Sequence, residues 1–465
     1  MKLKKNDVLT LKIEDITNLG FGVARHNGEV IFIADTVPGD EVEAKIIKIA
    51  SSYAVARCER LTVASAARVS TRCSISACKS CAYKLISYRD ELALKEEGVR
   101  QIFKKAGLGH VTVEDIVPSP LECGYRNKAQ YPIARTRDGG YAIGFYAPKS
   151  HRVTEAADCP LAPSEFREII ELLRAFFEKH AISVYDEESG NGLLRHIYLR
   201  RGEVSGEVLL TLVINGDTLP RSRELVSELV ARFPAIVGIL INKNKKNTNV
   251  ILSDEYELLF GRDFIFDTLA GVELKITAPS FYQVNRRCAE LLYAKARELA
   301  EPKSDDVILD LYCGAGSIGL SMARDAGEVI GIEIVDSAVE CARFNAEHNG
   351  IANASFYSGD AKNTERLLER AERERGEKIK PSIVILDPPR AGSSEELINH
   401  IAKNLLPERV VYISCNPQTL ARDMVLFEAL GYFGSSVTPV DMFPGTGHVE
   451  SVVCLTRRLD VDMRR

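Results

Sequence analysis

Cys415 lies in Ser414-Cys-Asn-Pro417, which closes a strand-like run, Arg409 to Ser414, and opens a helix-like one. Asn416 suits an N-cap and Pro417 the first helical position. A sulfur at that junction lies beside the positive end of a helix dipole, which predicts a lowered thiol pKa and a thiolate nucleophile. Asp387-Pro-Pro-Arg390 ends the preceding strand-like run, so both segments open onto one carboxyl-end crevice. Gly447-His-Val-Glu450 adds Glu450 as a candidate base, with His448 as a helper at most. Thiolate addition at carbon 6 of a uracil makes carbon 5 an enolate carbon able to accept a methyl group. A base must then remove the carbon-5 proton so that the cysteine can leave. Inside a helix the target base is stacked, so it must be unpaired or flipped out.

The methyl donor is indicated by Asp310-Leu-Tyr-Cys-Gly-Ala-Gly316, which follows one strand-like run and leads into a helix near Ser317. Its glycines allow a tight turn and bring backbone N–H groups to a ligand at the helix start. Glu333 ends the next strand, about twenty residues on, where an acid can hold both ribose hydroxyls. An acid ahead of the glycines suits the ammonium and sulfonium of S-adenosylmethionine better than a pyrophosphate. Asp360 and Asp387 strengthen that reading over a dehydrogenase-type domain.

These positions require a regular frame. From Asp305 onward, short apolar runs alternate with helix-period stretches: Val307 to Leu311, Glu328 to Glu333, Ala354 to Tyr357, Ser382 to Leu386 and Arg409 to Ser414. Ser435 to Arg457 supplies at least two more strands. The pattern predicts an α/β fold with a buried, doubly wound parallel sheet of Rossmann-like type and seven strands. Residues 1–62 read as closely spaced short strands, an OB-type β-barrel. Residues 63–285 read as a central α+β domain, and 286–465 as the catalytic domain.

With 465 residues and a charged share of 27%, the chain fits a multidomain globular protein. No apolar run is long enough for a membrane span, and a cytoplasmic location and a monomer are the default expectations. The net charge of −5 is no global mark of nucleic-acid binding. Between Arg126 and Arg152, however, six Lys/Arg face one acid, Asp138, as a solvated loop or an RNA-facing patch would. Of eleven cysteines, Cys73, Cys78 and Cys81 cluster, and Cys159 stands apart. Four such thiolates suit an iron–sulfur cluster or a structural zinc, and spacing alone decides neither.

At these residues the chain resembles the class I RNA uridine-5-methyltransferases. Tyr125-Arg-Asn-Lys128, Ser280-Phe-Tyr-Gln-Val-Asn285, Asp310-Leu-Tyr-Cys-Gly314, Asp387-Pro-Pro-Arg390, Ser414-Cys-Asn-Pro417 and Gly447-His-Val-Glu450 occur in the family's order. Gly20-Phe-Gly-Val-Ala24 and Val37-Pro-Gly-Asp40 look like its RNA-binding TRAM domain. The resemblance implies Cys415 as nucleophile and Glu450 as the base for the carbon-5 proton. It implies Gln283, Tyr312, Ser317, Glu333, Asp360 and Asp387 as contacts to S-adenosylmethionine. It also tips the four cysteines toward a [4Fe–4S] cluster, although Lys79 and Ser80 stand where the family usually has glycines. Cluster-bearing members modify rRNA more often than tRNA, which implies 23S rRNA as partner, with tRNA the alternative. A non-catalytic RNA-binding protein that kept the fold is a further alternative, against which intact Cys415 and Glu450 argue.

Overall fold

The apolar runs of the C-terminal part alternate between the two faces of one sheet. In the computed structural model, which describes residues 3–458 apart from Arg72, Ser76, Ala77 and Glu377, these runs form seven main strands. We label them β1 (Val307–Leu311), β2 (Glu328–Glu333), β3 (Ala354–Ser358), β4 (Ile383–Leu386), β5 (Arg409–Ser414), β6 (Ser436–Val440) and β7 (Glu450–Arg457). Their spatial order is β3-β2-β1-β4-β5-β7-β6, parallel from β3 to β5, with β7 antiparallel to both its neighbours. Two two-residue strands extend the sheet: Thr112–Val113 beside β6, and Tyr432–Phe433 against β7.

Alternation divides the core. Ile308, Ile385, Val411 and Ile413 face helix Arg286–Ala300 through Leu292 and Ala296. Leu309, Val384, Val410 and Tyr412 face helix Pro417–Ala429, through Leu420, Met424 and Phe427, and helix Tyr88–Lys105, through Val99 and Phe103. The last helix and strand Thr112–Val113 thus pack on the C-terminal sheet although the central strands follow them in the chain. Burying side chains of this size removes roughly 1.5–3 kcal/mol of apolar exposure each, so covering both faces holds the strand ends rigidly.

The central strands form a separate seven-stranded sheet running from Val153–Glu155 to Tyr256–Gly261. Helices Ser164–Lys179 and Ser222–Arg232 cover it through Phe166, Leu173, Phe177, Leu225 and Leu229. The N-terminal six strands, from Val8–Lys12 to Tyr53–Val63, curl around Leu11, Ile31, Ile33, Val42 and Ile46. No helix among the described residues is long and apolar enough to cross a membrane.

Candidate active site

Register brings the thiol and the acid together. Ser414 of β5 pairs with Ser451 of antiparallel β7, so the adjoining Cys415 and Glu450 emerge at the same end of the sheet. The Cys415 turn is fastened on both sides. The Ser414 hydroxyl accepts from the Asn416 N–H at 3.1 Å, and the Asn416 side chain accepts from the Gln418 N–H at 3.1 Å. Asn416 Nδ2 also donates to the Arg390 carbonyl at 3.2 Å, tying this turn to Asp387-Pro-Pro-Arg390.

The thiol pKa moves opposite to the expectation from the helix dipole. Burial pushes Cys415 up to about 11, the charges of Glu450 and Asp387 add to the rise, and Arg390 opposes it. A dipole end equals about half a charge and fades within a turn, so burial and two carboxylates outweigh it. Glu450, only 5% exposed, is itself pushed up to about 8 by burial, with Asp387 adding and Arg390 opposing. Burial raises Asp387 to about 7.

Both carboxyls therefore hold protons more tightly folded than unfolded. Their contribution to stability is full below the unfolded pKa, near 4, and is lost as pH rises through 7 to 8. We expect the ligand-free protein to melt several degrees lower at about pH 8.5 than at about pH 5.5. Glu450→Gln should narrow that gap, as thermal denaturation at both pH values will register. An unchanged gap would assign the effect to other groups.

Beside this pair lies a crevice lined with acids. Asp310 at the end of β1 is fully buried. Its Oδ2 accepts from the Gly319 N–H at 2.9 Å, while Oδ1 has no partner among the described residues. Burial pushes it up to about 7 against the Gly319 bond, with the charges of Asp387 and Glu333 adding. A Cβ on Gly319 would come within 2.8 Å of that carboxylate, so glycine is needed there. Glu333 accepts from Gly314 N–H at 3.1 Å and Val335 N–H at 2.9 Å, anchoring the glycine loop. Tyr312 is a non-glycine residue with φ of +65°, a strained backbone of the kind concentrated at functional sites. Asp360 caps the turn Ala361–Asn363 through the Lys362 N–H at 3.0 Å, close enough for its charge to raise the Tyr312 phenol beyond the effect of burial. The Ser317 hydroxyl shares a hydrogen bond with the Tyr293 hydroxyl at 2.9 Å. Uncompensated buried acid beside a glycine turn fits a cationic adenosine-bearing ligand.

Gln283 belongs to another segment. It is buried in the segment before helix Arg286–Ala300, and its carbonyl accepts from Asn127 Nδ2 at 2.8 Å. Asn285 caps that helix and donates to the Met442 carbonyl at 3.0 Å, joining the segment to the stretch that leads to Glu450. Asp310 is the acid ahead of the glycines that the sequence reading assigned to a cationic cofactor, whereas two residues, Arg390 and Tyr293, had no role there. Arg390 was signalled by its spacing from Asp387. Tyr293 carried no local signal, because only packing brings its helix against Ser317.

The four cysteines lie within electrostatic reach of one another. Burial pushes Cys81 up to about 12, with Cys159, Cys73 and Cys78 adding and Arg126 opposing. Cys159 is raised by burial and by Cys78 and Cys73. The Ser74 hydroxyl donates to Asp158 at 3.2 Å, drawing the loop to the distant cysteine. Among the described residues, no three His, Cys, Asp or Glu side chains stand in an arrangement that holds a metal ion. Ser76 and Ala77, within the loop, lie outside the described residues. The chain just after the loop also touches the segment leading to the base: Tyr83 N–H donates to the Gly445 carbonyl at 3.0 Å. Gly447 must be glycine because the Asn18 carbonyl of the N-terminal sheet would lie 1.9 Å from a Cβ there.

Comparison with known proteins places the whole chain. Residues 87–458 match the tRNA (uracil-5-)-methyltransferase family and residues 2–58 the TRAM domain. An uncharacterized RNA methyltransferase of Bacillus cereus is 38% identical over 98% of both chains, and one of Clostridium tetani is 37% identical over 98% and 97%. The crystal structure of Pyrococcus abyssi tRNA (uracil-54, C5)-methyltransferase in complex with S-adenosyl-L-homocysteine is 28% identical, with a TM-score of 0.77. The match covers 96% of this chain and 100% of that one. The chain belongs to the tRNA (uracil-5-)-methyltransferase family and is an S-adenosylmethionine-dependent RNA methyltransferase.

Proposed function

We propose that the chain methylates carbon 5 of a uridine in RNA, with Cys415 as nucleophile and Glu450 as base. The observation that carries this reading is the emergence of both side chains at one end of the β5–β7 pair. Bound S-adenosylmethionine supplies an electrophilic methyl group. Gln283, Tyr312, Ser317, Glu333, Asp360 and Asp387 hold it, and Asp310 adds a buried carboxylate. Once paired with a cation, Asp387 no longer opposes a thiolate at Cys415. The thiolate then adds to carbon 6, and the ring electrons move onto carbon 5 and oxygen 4. Carbon 5 takes the methyl group, Glu450 removes the carbon-5 proton, and the restored double bond expels the sulfur. One proton leaves for each methyl transferred.

The test is RNA containing 5-fluorouridine. Fluorine does not leave as a proton, so a covalent protein–RNA adduct should accumulate on a denaturing gel and be absent from Cys415→Ala. Absence of an adduct with every RNA fraction, despite cofactor binding, would overturn the reading. Sequencing the trapped RNA separates 23S rRNA, which we favour, from tRNA, which the Pyrococcus relative modifies.

We further propose that Cys73, Cys78, Cys81 and Cys159 hold a [4Fe–4S] cluster, with structural zinc the alternative. Their mutual electrostatic reach and the Arg126 cation beside them support a polythiolate site. Bound there, the group would staple the cysteine loop to the Cys159 segment. Protein purified without oxygen should absorb near 400 nm and contain about four irons per chain. Zinc at one per chain, with no such band, would decide for the alternative. The stretches 1–62, 63–285 and 286–465 would then divide RNA grip, cysteine-bearing support and chemistry.

A further inference from the structure

Of the basic run from Arg126 to Arg152, Arg126 stands beside the cysteines. Two of its members, Arg135 and Arg152, line a cavity of about 600 Å³ on the central domain. That size falls within the usual range for a small-molecule or nucleotide pocket. The cavity lies where strand Lys128–Arg135 ends, beside the turn between strands Tyr141–Tyr146 and Val153–Glu155. The loop 184–188 and the start of strand Leu194–Arg201 close its other side.

Its lining combines faces, edges and charge. Tyr146, Tyr185 and His151 offer rings, with Tyr146 5.6 Å from His151 and 6.5 Å from His196 between centroids. His196 is only 7% exposed, and its buried Nδ1 has no hydrogen-bond partner. Burial and Arg195 lower its pKa to about 4, so it stays neutral at pH 7. Its Nε2 shares a hydrogen bond with the Tyr146 hydroxyl at 3.4 Å, which leaves Nδ1 to pair with one group of a nucleobase edge. Arg195 is buried too, and its Nε has no partner, although Nη1 donates to the carbonyls of Asn244 and Lys246 and Nη2 to that of Thr248. Arg135, Arg152 and Arg195 form no ion pair with a described residue. Three acids also line the cavity: Asp186, engaged by the Ser189 N–H at 2.8 Å, Glu187, engaged by His151 at 2.5 Å, and Glu188.

We propose that this cavity binds an unpaired nucleotide of the substrate RNA, remote from the methylated uridine. The base lies against the tyrosine and histidine rings, its edge meets His196, and the flanking phosphate meets Arg152. This rests on the reading of the chain as an RNA methyltransferase. Arg135 is committed to Gly139, Tyr141 and Ile182 and Arg195 lies over the Tyr185 ring, which leaves Arg152 as the guanidinium free to meet a phosphate. Unpaired buried nitrogens, aromatic rings and such a guanidinium are features by which single-stranded RNA is held. An apolar ligand would leave those nitrogens unsatisfied, at a cost.

The test uses the full chain and unfractionated RNA, with RNA affinity, photocross-linking and the 5-fluorouridine adduct read separately. Arg152→Ala and Tyr185→Ala should each weaken RNA binding about tenfold, the scale of one stacked base or one phosphate contact. Arg152→Ala should also lower the salt slope by about one. S-adenosylmethionine affinity should stay unchanged, and the Cys415 adduct should still form at saturating RNA. Thionucleotide-bearing RNA should cross-link the wild-type chain within residues 141–152 or 184–196. Unchanged RNA affinity in both variants, with no cross-link in those residues, would overturn the proposal while leaving methylation standing. Cross-linking there without a Cys415 adduct from any RNA would keep the pocket and sink the methylation reading.

Discussion

Cys415→Ala should lower uridine methylation by on the order of 10⁴-fold or more, the scale of losing a nucleophile that works as a unit with its base. Among the described residues no second thiol stands ready to replace it: Cys313 is buried within the glycine loop and Cys288 in helix Arg286–Ala300. The variant should fold normally, because the turn is held by Ser414, Asn416 and Arg390 and not by the sulfur. It should bind S-adenosylmethionine at least as well as the wild type. Calorimetric titration of the cofactor alongside single-turnover methylation separates binding from chemistry. Retention of more than a tenth of the turnover would remove Cys415 from the reaction.

The frame was legible because its signals are local. Apolar runs such as Val307 to Leu311 and Ser382 to Leu386, cut by glycine and proline, predict buried parallel strands whose ends face one crevice. Cys415, Glu450 and Asp387 could be placed there because each follows or begins such a run. The antiparallel insertion of β7 between β5 and β6 has no local signal, and it is what sets Glu450 beside Cys415. The thiol pKa went astray for the same reason. A helix start is visible in Asn416-Pro417, whereas the burial and the two carboxylates that reverse its effect come from tertiary packing. Gln283 and Tyr293 lie on segments whose own residues predict only a helix and its approach. Their packing depends on contacts to residues distant in the chain: Asn127 for Gln283, Met442 for the neighbouring Asn285, and Ser317 for Tyr293. The helix Tyr88–Lys105 likewise looks like part of the central domain in sequence order, yet its buried face fits the C-terminal sheet.

Glu450→Gln should do what Cys415→Ala cannot: trap unmodified RNA on the protein. The amide has the size of the acid but accepts no proton, so the methylated adduct should form and then stall. Turnover should fall by about 10²–10⁴-fold, the usual contribution of a positioned base. Adduct formation should meanwhile be no slower than in the wild type. Above about pH 8, where Glu450 is ionised, its charge holds the Cys415 thiol up. Removing that charge should move the pH profile of adduct formation toward lower pH. Asp387→Asn would also relieve the thiol but leaves proton removal intact, so it should not trap RNA from ordinary uridine. Mass spectrometry of the stalled species should show one RNA, one added methyl group and attachment at Cys415. Normal turnover in Glu450→Gln, or an adduct lacking the methyl group, would transfer the base role to another residue, with His448 the nearest in sequence.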